Sequence, residues 1–353
     1  MAKLVGVFNT AHTPFCFMPP ENWDVVRSAR PIRADVYRDN LDESKAKSER
    51  IRVAFDALKA KLAEARPDVI VIFGDDQMEC FDFTNFPSFA VYVGEEFEGA
   101  LSTPEALAHD AFDSVGVARE GAAGAAAATV AASTPVTSGP ARARIKGHPG
   151  LATAILLGLM ERGFDPAFCM DMPKPEEGVG HAFMRPAESL TDLHTPIIPI
   201  LLNCYYAPQV TGMRSYQMGR AIREAIEAFP EDLRVAVLGS GGLWHTPGAN
   251  GAWLDEDFDR KSLEYMQKGD IKGMAQHFDA YTPPSDDTSQ PPSSRGKDQT
   301  GMPQLGGPVG GTRETCNWIA ASAVADGKPA TLIDYVPVYA SPIGCGFAYW
   351  PEV

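Results

Sequence analysis

The stretch that decides the fold is 69-VIVIFGDDQME-79, a continuous apolar run that ends in a cluster of polar side chains. The continuous apolar run VIVIFG (69–74), whose first five residues are β-branched or aromatic, predicts a strand that is covered on both faces. Five more runs of this kind are LVGVF (4–8), FAVYV (89–93), IIPILL (197–202), VAVLG (235–239) and ATLIDY (330–335). The chain therefore contains several short buried strands.

Helical patterns lie between several of these strands. Apolar residues recur at intervals of three to four positions at Ile51, Phe55, Leu58 and Leu62. Similar segments are 149–163, 214–229 and 312–325. Alternating strands and helices predict an α/β fold, with residues 1–353 as one domain whose central mixed sheet is covered by helices. In such folds a ligand binds where the strands end and the loops converge.

Composition narrows the class of protein. The 353 residues are 44% hydrophobic and 22% charged, which is enough to bury a full core. The net charge of −15 argues against a nucleic-acid partner. Six scattered cysteines without a C-x-x-C pair are typical of reduced thiols, and we find neither a leader pattern nor a long apolar segment. We expect a cytoplasmic protein without a membrane contact.

Two segments interrupt the alternation of strands and helices. Residues 98–145 and 282–311 are rich in alanine, proline, glycine and serine, and both are longer than ordinary connections. We interpret each as an insertion that is either a mobile surface segment or a lid over the site.

Side chains that can bind a metal or move a proton follow the strands. They are His12, Thr13, Asp75, Asp76, Gln77, Glu79, the glycine-flanked His181 and His245, and the acidic run at 255–259. A lone loop histidine is more often structural, and LDEDFDR can equally be the acidic start of a helix. Their joint placement nevertheless suggests a divalent metal with an additional acid or base.

Motifs spread along the chain carry a family resemblance. They are AHTP, PDVIVIFGDDQMECFDFTNFPSFAV, KGHPGLA, GHAFMRP, PILLNCYYAPQVTGMRSYQMGRAI, FPEDLRVAVLGSGGLWHTPG, LDEDFD and YVPVYASPIGCGFAY. In this order they resemble the class III extradiol ring-cleavage dioxygenases, which include the catalytic β-subunit of protocatechuate 4,5-dioxygenase and single-chain relatives such as 3-O-methylgallate dioxygenase. The two insertions fall outside the resemblance.

The resemblance implies a metal site. Members of this family hold a non-haem Fe(II) with two histidines and a glutamate, and these positions fall on His12, Gln77 and Asp257. Two of the three depart from the family pattern. An amide oxygen is a weaker ligand than imidazole, so Mn(II) is also possible. Asp76, or Asp75 beside it, and Glu256 remain alternative ligands.

The resemblance also implies an activity. His245 matches the acid/base histidine of the family and His181 a second-sphere histidine, while Thr13, Tyr205 and Tyr206 are candidate pocket walls. We expect extradiol cleavage, with dioxygen, of a catechol-type aromatic acid such as protocatechuate, gallate or a methylgallate. Because relatives often pair, we expect a homodimer. The alternatives are non-oxidative metal-assisted chemistry in the same pocket, or an aromatic-binding homologue without activity.

Overall fold

The computed structural model describes residues 1–112, 121–133, 141–246, 251–282, 302–303, 305–308, 310–351 and 353. Its strands are β1 (Lys3–Thr10), β2 (Val69–Asp75), β3 (Phe89–Tyr92), β4 (Glu96–Ala100), β5 (Arg142–Lys146), β6 (Ala167–Cys169), β7 (Ile197–Leu202), β8 (Arg234–Ser240), β9 (Thr331–Val338) and β10 (Ile343–Trp350). Eight of these strands form one sheet in the order β6-β3-β7-β2-β8-β1-β10-β9, and β4 pairs with β5 in a separate ribbon.

The sheet is mixed, as predicted. Its centre is parallel, because β7, β2, β8 and β1 run in the same direction. Antiparallel pairs flank this centre: β3 lies antiparallel to β7, and β10 lies antiparallel to both β1 and β9. The carboxyl ends of β1, β2 and β8 therefore meet at one edge of the sheet.

All six predicted strands are confirmed, but β4, β5, β6 and β10 were not predicted. β6 has only three residues, and β4 and β5 alternate polar and apolar residues in a segment interpreted as an insertion. The sequence of β10, IGCGFAYW, has two glycines within its first four residues, which weaken a strand pattern.

The helices are α1 (Trp23–Ser28), α2 (Leu41–Ala65), α3 (Pro104–Phe112), α4 (Gly121–Ser133), α5 (Pro149–Glu161), α6 (His181–Leu190), α7 (Gly212–Ala228), α8 (Glu256–Gln267), α9 (Ile271–Asp279) and α10 (Thr315–Ala323). The four predicted helical segments correspond to α2, α5, α7 and α10. Short 3₁₀ turns include Gly310–Glu314, which leads into α10. Within the described part of the chain, we find no helix that is both long and apolar enough to span a bilayer.

Local chemistry explains where several helices begin. Asn40 accepts a hydrogen bond from the backbone of Glu43, whose side chain in turn accepts one from the backbone of Asn40, so α2 starts with a capping box. The side chains of Thr211 and Asp255 also cap α7 and α8 by accepting a backbone N–H. Such a cap typically contributes about 1 kcal/mol to the stability of a helix.

The core lies on both faces of the sheet. Alternate residues of β2 belong to opposite apolar clusters: Val71 and Phe73 pack in one, Ile70 and Ile72 in the other. Helices α5, α7, α9 and α10 contribute to the first cluster, and α2 and α6 contribute to the second. Two-sided burial of this kind explains why the strands have continuous apolar sequences.

The first expected insertion has secondary structure of its own. Residues 98–145 contain most of β4 and β5 together with α3 and α4. The second, 282–311, lies mostly outside the described residues, apart from its first residue, 302–303, 305–308 and 310–311.

Candidate functional site

Three buried side chains meet at the carboxyl edge of the parallel strands. Thr10 of β1 pairs with Ser240 of β8, so His12 leaves the sheet beside the end of β8. Asp75 is the last residue of β2, and Glu314 ends the 3₁₀ turn before α10. Each of His12, Asp75 and Glu314 offers one ligand atom, and these atoms all lie within 4.8 Å of one another. The arrangement can hold a metal ion.

His12 is oriented for this role by its two ring nitrogens. Nδ1 lies 2.9 Å from the hydroxyl of Ser240. Nε2 lies 3.3 Å from Glu314 Oε2 and 3.9 Å from Asp75 Oδ1. Burial lowers the pKa of His12 against the opposing pull of Glu314, which favours the neutral imidazole that metals bind.

The pKa values of the two acidic side chains, Asp75 and Glu314, shift in opposite directions. Burial, together with the charge of Glu314, raises the pKa of Asp75 well above its usual value. Burial also opposes ionisation of Glu314, yet the imidazoles of His245 and His12 outweigh it and hold the pKa of Glu314 well below its usual range. A bound cation would offset the repulsion between two buried carboxylates, so this donor set fits a divalent metal.

Glu314 is also fixed by hydrogen bonds. Oε1 accepts the hydroxyl of Tyr205 at 2.5 Å, and Oε2 accepts the backbone N–H of Gly242 at 2.9 Å. The sequence placed Glu314 in a helical segment but gave it no role. One feature of the sequence could have indicated a role for Glu314. It is the last charged residue before α10, whose residues are all uncharged and buried.

The structure places the expected ligand Gln77 in the same pocket as His12. Its amide nitrogen donates to Asp75 Oδ2 at 3.2 Å. Asp76, one of the alternative ligands, turns away: its carboxylate accepts the backbone N–H groups of Cys80 and Phe81. Burial raises the pKa of Asp76 to about 6. Asp76 therefore closes the turn after β2, while Gln77 faces the pocket.

Asp257 and Glu256, in contrast, are not brought to His12. Both lie in the first turn of α8, where Asp257 is exposed and Glu256 contacts Tyr339 and Arg260. The reason is helical geometry. Helix α8 turns Phe258 and Asp259 toward the interior, and this leaves Asp257 on the outer face. The helix-start interpretation of LDEDFDR is the one that the structure supports.

His245 lies in the glycine-containing loop after β8, as predicted. Its Nε2 is 3.3 Å from both the hydroxyl of Tyr205 and Glu314 Oε1. Nδ1 is buried and has no hydrogen-bond partner among the described residues. The hydroxyl of Thr312 holds the backbone of His245, because it accepts the N–H of His245 and donates to the carbonyl oxygen of the same residue. A Cβ at Gly311 would clash with Nε2, so only glycine allows this close packing.

His181 lies at the first position of α6, whereas the sequence placed it in a loop. Pro186 within the helix hid the helical pattern. Glu79 Oε1 lies 2.7 Å from Nδ1 of His181. Although burial opposes the charged form, Glu79 and Asp110 outweigh it and raise the pKa of His181 to about 9. The ring meets that of His12 edge-on, with 4.9 Å between centroids.

These residues surround a pocket with two neighbouring lobes. The inner lobe, about 40 Å³, includes His12, Thr13, Gln77, Tyr205, His245 and Glu314 in its wall. The outer lobe, about 270 Å³, shares Gln77, Asp110 and His181 with it. Two expected pocket residues, Thr13 and Tyr205, therefore line the site. Tyr206 does not, since its ring packs against Phe83 and Phe86.

A model of one protein family, the catalytic LigB subunit of aromatic ring-opening dioxygenase, matches residues 35–283. This chain belongs to the LigB family. The match agrees with the resemblance seen in the sequence and extends across residues 98–145, which were expected to lie outside it. Asp75, Gln77, His181 and His245 fall inside the matched range, whereas His12 and Glu314 flank it.

Curated relatives of this LigB-family chain are dioxygenases by name. Gallate dioxygenase of Pseudomonas putida is 36% identical over 127 residues, which is 35% of this chain and 36% of that relative. The 2,3-dihydroxyphenylpropionate/2,3-dihydroxicinnamic acid 1,2-dioxygenase of Photorhabdus laumondii is 26% identical over 211 residues, 57% of this chain and 50% of that relative. The chain thus spans half or less of the length of these two relatives.

A likeness in structure covers more of the chain. The crystal structure of an uncharacterized protein from Escherichia coli K12 covers 98% of this chain and 99% of its own, with a TM-score of 0.43 and 13% identity.

The first insertion contributes to the wall of the site in this LigB-family chain. Leu101, Ser102, Ala106 and Asp110 come from this segment and line the outer lobe. Asp110 also pairs with Arg185 of α6, which donates to the backbone oxygen of His12 at 2.8 Å. The segment thus forms part of the pocket wall.

Proposed function

We propose that this chain opens the ring of a catechol-type aromatic acid with dioxygen, at an Fe(II) ion held by His12, Asp75 and Glu314. The observation that carries the proposal is the convergence of these three buried ligands beside a pocket that His245 lines. Membership of the LigB family and the names of its dioxygenase relatives support the reaction class. Protocatechuate, gallate and methylgallates are the substrates we expect.

The donor set fits this metal. One imidazole nitrogen and two carboxylate oxygens suit Fe(II) and also Mn(II), and the neighbouring outer lobe of about 270 Å³ leaves room for a substrate. When bound, Fe(II) supplies a binding position for the catechol oxygens and the redox chemistry that activates dioxygen. Ser240, Tyr205 and Gly242 hold the ligands in place through hydrogen bonds.

His245 would move the protons of the reaction. A catechol must lose a phenolic proton as it binds, and ring opening requires that a proton be returned. The ring of His245 lies at the pocket wall, with Nε2 near Tyr205 and Glu314 and with Nδ1 unpartnered among the described residues. An imidazole can accept and donate a proton near neutral pH, so we assign it as the general acid/base.

His181 would contact the second substrate oxygen or dioxygen. Its Nδ1 is engaged by Glu79, which leaves Nε2 as the ring nitrogen available to a ligand in the pocket. Thr13 and Tyr205 would form walls against the aromatic ring.

The proposal is tested by metal analysis and oxygen uptake. We expect the purified protein, loaded anaerobically with Fe(II), to consume oxygen with at least one of protocatechuate, gallate and 3-O-methylgallate, in a one-to-one ratio with substrate. Bound metal without oxygen uptake on any member of the panel would contradict it. Light scattering of the same sample tests the expected dimer.

We predict that Asp75 contributes more to metal binding than Gln77. Asp75→Ala is expected to lower Fe(II) affinity by on the order of 10²-fold or more, because loss of an outer-sphere partner alone typically costs 10–100-fold. Gln77→Ala is expected to stay within roughly that lower range, since its amide acts on Asp75. Metal titration of both apo variants measures the difference. A larger loss in Gln77→Ala would make Gln77 the second ligand, as the resemblance implies.

A second function is favoured by one observation, the richness of the site in carboxylates. One imidazole and two carboxylates can also hold Mn(II) or Mg(II) for metal-assisted chemistry without oxygen. Metal binding with no oxygen uptake would support this alternative. An aromatic-binding homologue without activity would instead bind its ligand equally well after His12→Ala.

A further inference from the structure

Glu79 is held against His181 by a pair of contacts that share one atom. It follows β2 by four residues and lies in the wall of the outer lobe. One oxygen, Oε1, accepts the backbone N–H of His181 at 2.9 Å and lies 2.7 Å from its Nδ1. A single carboxylate oxygen thus engages both the main chain and the ring, which restricts rotation of the imidazole.

Gly180 makes this approach possible. A Cβ at this position would clash with Glu79 Oε2 and would lie 2.6 Å from the carboxyl carbon. The backbone of Gly180, with φ −69° and ψ 168°, is open to any residue. What glycine permits at this position is the close approach of the Glu79 side chain, since the conformation of the chain itself does not call for glycine.

The contact determines which atom of His181 is available to the pocket. Nδ1 is engaged by Glu79, whereas Nε2 has no hydrogen-bond partner among the described residues. The other titratable groups near the ring include Asp110 and Arg185, which pair with each other, and His12 and Asp75. Within the described residues, Glu79 is therefore the carboxylate in hydrogen-bond contact with His181.

We propose that Glu79 is a positioning residue that fixes the ring of His181 so that Nε2 points at the reacting oxygens. The role assigned to His181 rests on the proposed function. Within the described residues the Glu79 carboxylate forms no hydrogen bond with His12, Asp75 or Glu314, so its hydrogen-bonding contact with the site is through His181. A carboxylate behind a functional imidazole sets its orientation and keeps hydrogen on the nitrogen that faces the carboxylate.

A purely structural role for Glu79 is the competing explanation, because Oε1 also accepts an N–H at the start of α6. A double-mutant cycle separates the two roles. Glu79→Ala is expected to lower kcat/KM by roughly 10–100-fold in the otherwise unchanged enzyme, the usual effect of an outer-sphere partner. The same change is expected to have almost no further effect in the His181→Ala background. An equal loss in both backgrounds would overturn the proposal.

A conservative variant and a matched control complete the cycle. Glu79→Gln keeps an acceptor oxygen for Nδ1 and is expected to recover most of the turnover. Glu176→Ala is the control, because it removes an exposed carboxylate from the segment that precedes α6 and should leave kcat/KM unchanged. If Glu79→Gln folded and bound metal fully but recovered no turnover, the positioning role of the acceptor oxygen would be refuted.

A spectroscopic measurement tests the orientation without turnover. In the metal-free protein labelled with ¹⁵N-histidine, we expect His181 to show a protonated, strongly hydrogen-bonded Nδ1, assigned by its disappearance in His181→Ala. Both Glu79→Ala and Gly180→Ala should weaken this signal, the latter by pushing the carboxylate away. An unaltered Nδ1 signal in Glu79→Ala would overturn the proposal even in a protein without dioxygenase activity. So would Gly180→Ala if it lost the signal but kept full turnover.

Discussion

Replacing Glu314 with glutamine is expected to lower the affinity for Fe(II) by on the order of 10²-fold or more and to abolish turnover at limiting metal. Glutamine keeps the size of the side chain but removes the charge that the metal needs. It also disturbs the hydrogen bonds from Tyr205 and Gly242 to the carboxylate. Metal content after dialysis, followed by oxygen uptake at increasing Fe(II), measures the effect.

The matched control is Asp257→Asn, which makes the same kind of change at the ligand position implied by the family resemblance. Asp257 is exposed on α8, so metal content and turnover should stay unchanged. If Asp257→Asn lost metal and Glu314→Gln retained it, the ligand set proposed from the structure would be refuted.

Replacing His245 with alanine should lower turnover by roughly 10²–10⁴-fold, the usual cost of losing a general acid or base. Metal content should be preserved, because His245 approaches Glu314 but is not one of the three ligands. Anaerobic substrate binding, measured beside kcat, distinguishes a lost proton transfer from a lost binding contact.

His194→Ala provides the control, since His194 is exposed and lies outside the pocket wall. It should behave like the unchanged protein. Loss of metal in His245→Ala would mean that this histidine holds the ion, and the acid/base assignment would then fail.

The central strands β2, β3, β7 and β8 could be predicted because they are short, apolar and almost entirely buried. In β2, for example, alternate residues pack in different apolar clusters on the two faces of the sheet. The strand therefore has no polar face, and its sequence is a continuous apolar run. The loop position of His245 could be predicted because the strand that precedes it, β8, could be predicted. His181 was harder, because Pro186 made α6 look unlike a helix.

The third proposed ligand, Glu314, could not be identified from local sequence. Asp257 was selected because it stands before a Phe-Asp pair, but the turn of α8 directs it to solvent. Glu314 reaches His12 only because the Gly310–Glu314 turn and α10 pack behind the ends of β1 and β8. Contacts between residues so distant in sequence depend on the three-dimensional packing, which periodicity does not describe.

The central place of β1 has a consequence for dissecting this protein into fragments. β1 lies between β8 and β10, inside the sheet, and the turn after it carries His12. A fragment trimmed to residues 35–283 would lose the three adjacent strands β1, β10 and β9 as well as two of the three proposed ligands. Truncation would therefore leave β8 as a new, unpaired edge of the sheet, and complementation would need an N-terminal and a C-terminal peptide together to rebuild the hydrophobic interior and the ion site.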